Sequence, residues 1–229
     1  MIRNSLLVLM FALLATSASA AEKPALKTQK DKVSYSLGAD VAKNFKRLGI
    51  DLNVDMLVKG LKDEFAGKKL LMNDEELRKT MNELQVDLRQ KQIQAIKAAA
   101  EKNQKEGEAF LAENKLKEGV VTLPDGLQYK ILKAGDGKIP TGDDTVEVNY
   151  RGTLINGTEF DSSYKRGEPA TFKVGGVIPG WTEALKLMPV GSKWQLFIPS
   201  QLAYGERGAG RDIGPNQTLI FEVELLAIK

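Results

Sequence analysis

The 229-residue sequence predicts an α+β protein with an all-helical N-terminal half and a β-rich C-terminal half. Proline and glycine divide the chain, because residues 21–119 hold 1 proline and 6 glycines, whereas residues 120–229 hold 7 and 15. Apolar residues recur every three or four positions in the first half and alternate in the second. We therefore expect a helical domain with a long connecting helix, followed by a curved antiparallel sheet wrapped on one short helix.

The first twenty residues have the pattern of a secretory signal peptide. Arg3 precedes an apolar run from Leu6 to Ala15, and the small residues Ala18-Ser19-Ala20 follow it. This run is too short to cross a bilayer comfortably, and no later stretch approaches the length of a spanning helix. We expect residues 1–20 to be removed and the mature protein to have no membrane span, with an uncleaved anchor as the alternative.

Two short helices are expected in residues 21–72. The apolar stripe of the first helix repeats every three or four positions and ends at Gly49. Its members are Val33, Leu37, Val41, Phe45 and Leu48. Asn53 can cap the second helix and Gly67 can end it. The apolar face of the second helix is formed by Val54, Leu57, Val58, Leu61 and Phe65.

A long helix is expected over residues 73–118. Asn73 and Glu76 have the spacing of a capping box, and no proline follows until Pro124. As one helix, residues 74–118 would be about 68 Å long, which exceeds the diameter of a small domain. Residues 95–110 have high helix propensity and almost no apolar face, which predicts a solvated stalk with Gly107 as a weak point.

Self-association is the expected use of the helical half. The alternating spacings of 4 and 3 in one part of the long helix are typical of a helix that pairs with another helix. The residues concerned are Leu77, Met81, Leu84 and Leu88. Two short helices and half a long one are little material for an independent core, so we expect residues 21–72 and the long helix to form a homodimer. A monomeric three-helix cluster is the alternative.

Strands are expected in residues 119–229. Alternating apolar residues predict them at 127–132, 146–154, 170–174, 193–198 and 218–227, and one short helix is expected at 181–187. Asn156-Gly157 is a typical turn between two antiparallel strands.

The chemistry available to this chain is restricted. It contains no histidine and no cysteine, which excludes a thiol nucleophile, a disulfide, a His-based triad and a His/Cys zinc site. The formal net charge is only +3, and basic clusters are not interleaved with aromatic residues, so a nucleic-acid groove is not expected. We expect neither a metal nor another cofactor.

Five motifs in the second half resemble the FK506-binding-protein (FKBP) class of peptidyl-prolyl cis/trans isomerases. YRGTL, FDSS, VIPGW, AYGERG and IFEVELL stand in the family's order at its intervals, and the resemblance covers essentially all of residues 120–229. It implies an FKBP-like sheet and prolyl isomerase activity. It also implies unfolded or proline-containing polypeptides as partners, and inhibitors like FK506 and rapamycin.

The first half resembles the amino-terminal dimerisation domain of bacterial isomerases of the macrophage infectivity potentiator (Mip) and FkpA type. KVSYSLGADVAKNF and the helices that follow it carry this resemblance. It implies a periplasmic protein, with association with the outer membrane or the cell surface as alternatives.

The resemblance also assigns residues to the site. The positions implied to be catalytic are Tyr150, Asp161, Ile178, Trp181 and Tyr204. The positions implied to bind substrate are Phe160, Arg166, Val177, Ala203, Ile213 and Phe221. Trp181 is expected under the proline ring, and the Ile178 N–H and the Tyr204 hydroxyl are expected to bond substrate carbonyls.

The carboxylate of Asp161 is expected at the pocket rim, held by Tyr150 and Arg166. Two positions differ from the family pattern. Ala170 stands where many members have a phenylalanine, so one wall is expected to be smaller or open. Ala209 stands where many eukaryotic members have a histidine, so any role of that imidazole is missing.

Two functions fit these observations. In the first, the protein is an exported folding catalyst, and a dimer holds two pockets against proline-containing segments of a client. Rotation about an X-Pro bond breaks no covalent bond, and its barrier of about 20 kcal/mol is mainly lost amide resonance, so neither a nucleophile nor histidine is needed. In the second, a chaperone or adhesion dimer uses the same fold only to bind proline.

Overall fold

The computed structural model describes residues 26–229. The signal peptide predicted at residues 1–20 lies outside them. The chain divides into two compact units, with the division between Asn73 and Asp74. The first unit holds two helices, and the second holds the long helix and the β-sheet.

The first unit contains helices α1 (Gln29–Arg47) and α2 (Val54–Phe65), as the apolar stripes predicted. Thr28 caps α1 and forms a reciprocal capping box with Asp31. The side chain of Asn53 accepts a hydrogen bond from the first turn of α2, which is the cap that the sequence indicated.

Both helices have large exposed apolar side chains. α1 has no buried residue, and the single buried residue of α2 is Asp63. We call the exposed members of the two predicted stripes the apolar stripe of the first unit. They are Val33, Leu37, Val41, Leu48, Val54, Val58, Leu61 and Phe65. Phe65 is 91% exposed.

The long helix α3 (Asp74–Asn114) has 41 residues and is about 62 Å long. It begins where the predicted cap at Asn73 placed it and ends four residues before the predicted end. A single uninterrupted helix was expected because no proline or glycine pair breaks the stretch.

The C-terminal end of α3 packs against the sheet, which corrects the prediction of a solvated stalk. Gly107 and Asn114 are buried. Asn114 Nδ2 donates to Gln128 Oε1 at 3.0 Å, and the ring centroids of Phe110 and Phe197 are 6.0 Å apart. The prediction failed because it looked for an apolar face, whereas a glycine and an amide form much of this contact.

Seven strands form one antiparallel sheet in the second unit, in the order β1-β2-β6-β7-β3-β4 with β5 paired to β3. The strands are β1 (Val120–Thr122), β2 (Gln128–Lys133), β3 (Thr145–Leu154), β4 (Glu159–Ser162), β5 (Ala170–Lys173), β6 (Lys193–Ile198) and β7 (Leu219–Ile228). Two helices interrupt them, α4 (Ser163–Arg166) and α5 (Pro179–Leu185). Single 3-10 turns lie at Val174–Gly176, Ser200–Leu202 and Gly205–Arg207. The predicted fold class is confirmed, although β1 and α4 were not predicted.

Helix α5 packs on the sheet and orients Trp181. Pro179 occupies the first helical turn, where its missing N–H costs nothing. Gly180 is buried, and a Cβ atom there would lie only 2.5 Å from Ile198 Cγ2. Only glycine therefore permits this close approach, which buries Trp181 against the sheet.

Candidate active site

The indole of Trp181 lies among three other aromatic rings. It is 4% exposed, and each neighbouring ring meets it edge to face at 83° to 89°. The centroid distances are 5.2 Å to Tyr150, 5.8 Å to Phe172 and 5.3 Å to Phe221. Such edge-to-face contacts hold the rings in fixed orientations, so the indole presents a rigid apolar surface.

A cavity of about 690 Å³ opens over this surface. Nine of the residues that the resemblance assigned to the site line it, namely Tyr150, Phe160, Asp161, Val177, Ile178, Trp181, Tyr204, Ile213 and Phe221. Five further residues line it as well, namely Phe172, Gly176, Ala209, Gly210 and Asp212. A cavity with aromatic walls and few polar groups suits a small apolar ring such as that of proline.

Two assigned residues lie outside the cavity lining. Arg166 stands behind the wall and bonds to two residues that do line it. Ala203 is half-buried against the core. The structure therefore gives Arg166 a supporting position and places Ala203 in the packing next to Tyr204.

Strand β5 contributes Phe172 to the wall of the cavity. Ala170, where a smaller wall was expected, is half-buried against the core and outside the lining. Phe172 is two positions further along β5, on the same face of the strand. The alternation of ATFKV contained this signal, because residues 170 and 172 share a face.

Three polar groups form a closed arrangement at the cavity rim. The Tyr150 hydroxyl donates to Asp161 Oδ2 at 2.5 Å and accepts from Arg166 Nη2 at 2.8 Å. Arg166 Nη1 donates to Asp161 Oδ1 at 2.5 Å, and that oxygen also accepts from the Ser162 N–H at 2.8 Å. We call Tyr150, Asp161 and Arg166 the rim triad. It fixes the orientation of the carboxylate toward the cavity.

The rim triad keeps its charges near neutral pH. Burial opposes ionisation of Asp161, but the hydrogen bonds from Tyr150 and Arg166 outweigh it, so the pKa of Asp161 lies below its usual value. Burial, followed by the hydrogen bond to Asp161, raises the pKa of Tyr150. Asp161 is therefore a carboxylate and Tyr150 a neutral phenol at physiological pH.

The Ile178 N–H and the Tyr204 hydroxyl are hydrogen-bond donors at the cavity that have no partner within residues 26–229, as is the buried Nε1 of Trp181. The carbonyl of Ile178 accepts bonds from Trp181 and Thr182 in the first turn of α5, whereas its N–H makes no hydrogen bond there. The hydroxyl of Tyr204 makes none either, and this side chain is 40% exposed. The Ile178 N–H and the Tyr204 hydroxyl are available to a bound peptide.

Two neighbouring acidic residues, Glu183 and Asp125, lie outside the cavity. Glu183 of α5 hydrogen-bonds to Asp125, and this contact, together with partial burial, raises the pKa of Glu183 to about 7. The nearby carboxyl group of Asp125 thus opposes ionisation of Glu183.

Within residues 26–229, no group of three or more acidic side chains is arranged to hold a metal ion. Among the helices that the structure describes, none has the length and apolar character needed to cross a membrane.

Family models match both parts of the chain. Residues 137–226 match the FKBP-type peptidyl-prolyl cis-trans isomerase model, and residues 30–131 match the model of the domain amino-terminal to that isomerase. The chain belongs to the FKBP-type peptidyl-prolyl cis/trans isomerases. The amino-terminal match extends through α3 and β1 into β2.

The similarity to known proteins extends over nearly the whole length of this isomerase. The chain is 51% identical over 216 residues to the outer membrane protein MIP of Legionella longbeachae, covering 94% of this chain and 93% of the relative. It is 48% identical over 217 residues to the isomerase Mip of Coxiella burnetii, covering 95% and 94%. The crystal structure of FkpA from Escherichia coli superposes with a TM-score of 0.74 at 41% identity, covering 90% and 99%. The resemblance to the Mip and FkpA type is thereby confirmed.

The reaction of this isomerase fits the groups at the cavity. Rotation about an X-Pro bond requires neither a covalent intermediate nor a proton transfer, and histidine and cysteine do not occur in the chain. An apolar cavity disfavours the polar planar amide, and oriented donors favour the twisted one.

Proposed function

We propose that this isomerase is an exported, dimeric folding catalyst that acts on proline-containing segments of unfolded polypeptides. The observation that carries the catalytic part is the rigid aromatic cavity with the unpartnered Ile178 N–H and Tyr204 hydroxyl. The observation that carries the dimeric part is the exposed apolar stripe of the first unit.

At the cavity, the proline ring lies on the Trp181 indole, between the aromatic walls. The Ile178 N–H and the Tyr204 hydroxyl donate to carbonyls of the peptide on either side of the rotating bond. Asp161, fixed by the rim triad, faces the amide whose carbonyl carbon and nitrogen change their charge as it twists. Acceleration by about 10⁴ needs about 5.4 kcal/mol of differential stabilisation, which several such contacts supply together.

In the first unit, a second copy of the chain covers the apolar stripe. Eight large apolar side chains of this stripe are exposed, among them Leu37 at 63% and Phe65 at 91%, and soluble proteins rarely leave so much apolar surface uncovered. Symmetric pairing through the same surface of both copies is the commonest way to cover it. Two joined cavities then act on one client at a raised effective concentration.

Export to the periplasm is part of the proposal. It is supported by Arg3, the apolar run and Ala18-Ser19-Ala20 at the start of the sequence, and by the name of the Legionella relative, an outer membrane protein. The same exposed stripe, if part of it stays free in the dimer, favours a chaperone activity that holds unfolded clients. Binding without turnover, as in an adhesion dimer, is the competing function.

The dimer is tested with Leu37→Glu/Val41→Glu, which puts two charges into the stripe of α1. Its control, Ser36→Glu/Lys43→Gln, makes the same change of net charge at exposed polar positions of that helix. We expect a dimer by sedimentation for the wild type and the control, and a monomer for the double glutamate. A monomeric wild type would contradict the proposal.

The catalytic role is tested with the same three proteins. All should isomerise a short X-Pro peptide within about twofold of each other and lose that activity with FK506, since the cavity belongs to the second unit. The monomer should be slower only on a refolding protein limited by proline isomerisation. Loss of short-peptide turnover in the folded monomer would contradict the separation of the two functions.

A further inference from the structure

The loop of residues 204–217 forms one side of the cavity. Tyr204, Ala209 and Ile213 line the cavity from this loop. The loop closes on itself, because the Asn216 N–H donates to the Gly205 carbonyl at 2.9 Å. Ala209 and Ile213 exchange backbone hydrogen bonds at 2.8 Å and 3.2 Å. It is thus a compact body whose placement depends on what holds it from outside.

One hydrogen bond ties this loop to another element within residues 26–229. Asn103 Nδ2 on α3 donates to the Pro215 carbonyl at 2.8 Å, across 112 positions of sequence. All other hydrogen bonds of the loop in that part of the chain are internal. Asn103 is half-buried, so water competes only partly for this bond.

One helical turn after Asn103, α3 also approaches Thr218 closely, the residue that follows the loop and forms its base. Gly107 is buried, and a Cβ atom at this position would lie 2.3 Å from Thr218 Oγ1 and 3.2 Å from Thr218 Cβ. Any larger residue would push α3 and the loop base apart. Glycine is otherwise unfavourable in a helix interior by about 1 kcal/mol, so its presence here fits this close contact.

Ile213 anchors the loop in the buried core, and Ala209 packs against that core. A second cavity of about 580 Å³ lies between α3 and the loop, and Gly205 and Asn216 line it. The contact at Asn103 and the close approach at Gly107 therefore form the support of the loop on the side of α3.

We propose that Asn103 is a positioning residue of the isomerase, which holds the loop of residues 204–217 so that Tyr204 and Ile213 face the substrate. Gly107 allows α3 to come close enough for this bond. The long helix is then part of the active-site scaffold in addition to being a connection. The proposal rests on the proposed role of Tyr204 at the cavity.

The test compares Asn103→Ala and Asn103→Asp with Gln94→Ala in the full mature chain. Aspartate keeps the size of asparagine and removes the donor, and Gln94 is an exposed amide of the same helix. A hydrogen bond to backbone is worth roughly a two- to tenfold change in an equilibrium constant. We expect kcat/KM for an X-Pro peptide to fall about three- to tenfold in both Asn103 variants and to change less than twofold in the control.

Amide hydrogen exchange distinguishes a positioning role of Asn103 from a general role in the stability of the fold. Residues 204–217 should exchange faster in the Asn103 variants, while the strands of the sheet keep wild-type rates. Equal acceleration throughout the sheet would overturn the proposal, because Asn103 would then only stabilise the fold. Unchanged kcat/KM despite faster loop exchange would overturn it as well.

Gly107→Ala gives a second arm that removes no polar group. It should lower kcat/KM at least as much as Asn103→Ala, and Gly107→Ala/Thr218→Ala should recover part of the loss because Oγ1 is gone. Gly60→Ala is the matched control, since a Cβ atom there meets no atom within 4 Å. Full activity of Gly107→Ala would contradict the proposal. Tyr204→Phe tests the proposed function separately. An unchanged kcat/KM in this variant would contradict the proposed role of the Tyr204 hydroxyl, whereas the exchange rates of the loop in the Asn103 variants would still test the positioning role of Asn103.

Discussion

Replacement of Tyr150 by phenylalanine isolates the rim triad from the aromatic wall. The ring would keep its edge contact with Trp181 at 5.2 Å and the contact of Arg166 over its face at 5.3 Å. Two hydrogen bonds are lost, one to Asp161 at 2.5 Å and one from Arg166 at 2.8 Å. The volume of the cavity hardly changes.

The magnitude follows from the exposure of the two partners. A hydrogen bond to a charged group contributes about 1.5–3 kcal/mol. The Arg166 and Asp161 side chains are 45% and 43% exposed, so water replaces much of what Tyr150→Phe removes. We expect the free energy of unfolding to fall by about 1–2 kcal/mol in total. The carboxylate keeps Arg166 but loses its fixed orientation, so kcat/KM should fall about three- to tenfold.

Urea unfolding and turnover of a short X-Pro peptide measure these two effects. Tyr35→Phe is the control, because this tyrosine is 68% exposed and its hydroxyl makes no hydrogen bond within residues 26–229. It should change neither quantity measurably. If Tyr150→Phe were as active and as stable as wild type, the rim triad would have no part in catalysis and the proposed role of Asp161 would be wrong.

Three further predictions address the wall, the charges and the acidic pair of Glu183 and Asp125. Trp181→Leu should lower kcat/KM at least about tenfold, whereas Trp194→Leu, an equally buried indole outside the cavity, should destabilise the fold and spare turnover by the remaining folded protein. Peptide turnover should vary less than about twofold between about pH 5 and about pH 9, because the lowered pKa of Asp161 and the raised pKa of Tyr150 keep the rim triad in one state; a bell-shaped profile would contradict this. The raised pKa of Glu183 means that the folded protein binds a proton more tightly, so stability present below about pH 4.5 should be lost as the pH rises through about 7. Glu183→Gln should remove that slope in urea titrations, and an unchanged slope would show that another group causes it.

The helices were predictable where local rules decide them. The cap at Asn53 and the stripe through Val33 and Leu37 are readable because neighbours in sequence make those contacts. The docking of α3 was not predictable by these rules. Gly107 in a helical stretch indicates a weak point, and only the position of Thr218 in the fold shows that glycine permits a close contact.

The residues of the site also divide into those that the sequence predicts and those that only the fold brings to the cavity. The motifs identified Trp181 and Tyr150 together with their family roles, since these residues lie within characteristic strings. Phe172 could have been found from the alternation along β5, but Gly176 and Asp212 lie in turns whose path depends on the whole sheet. No rule of spacing brings a turn residue to a particular cavity.

The reaction makes placement more important here than chemical identity. A nucleophile or a general base retains some reactivity when it is misplaced, whereas an apolar floor and two donors act only where they match the twisted amide. The floor is set by α5, the Ile178 N–H by the turn before α5, and the Tyr204 hydroxyl by the loop that Asn103 holds. Three elements must therefore keep their relative positions for one bond to rotate. Changes at Asn103 or Gly107 should therefore alter turnover although neither residue lines the cavity, and they should do so through the loop alone.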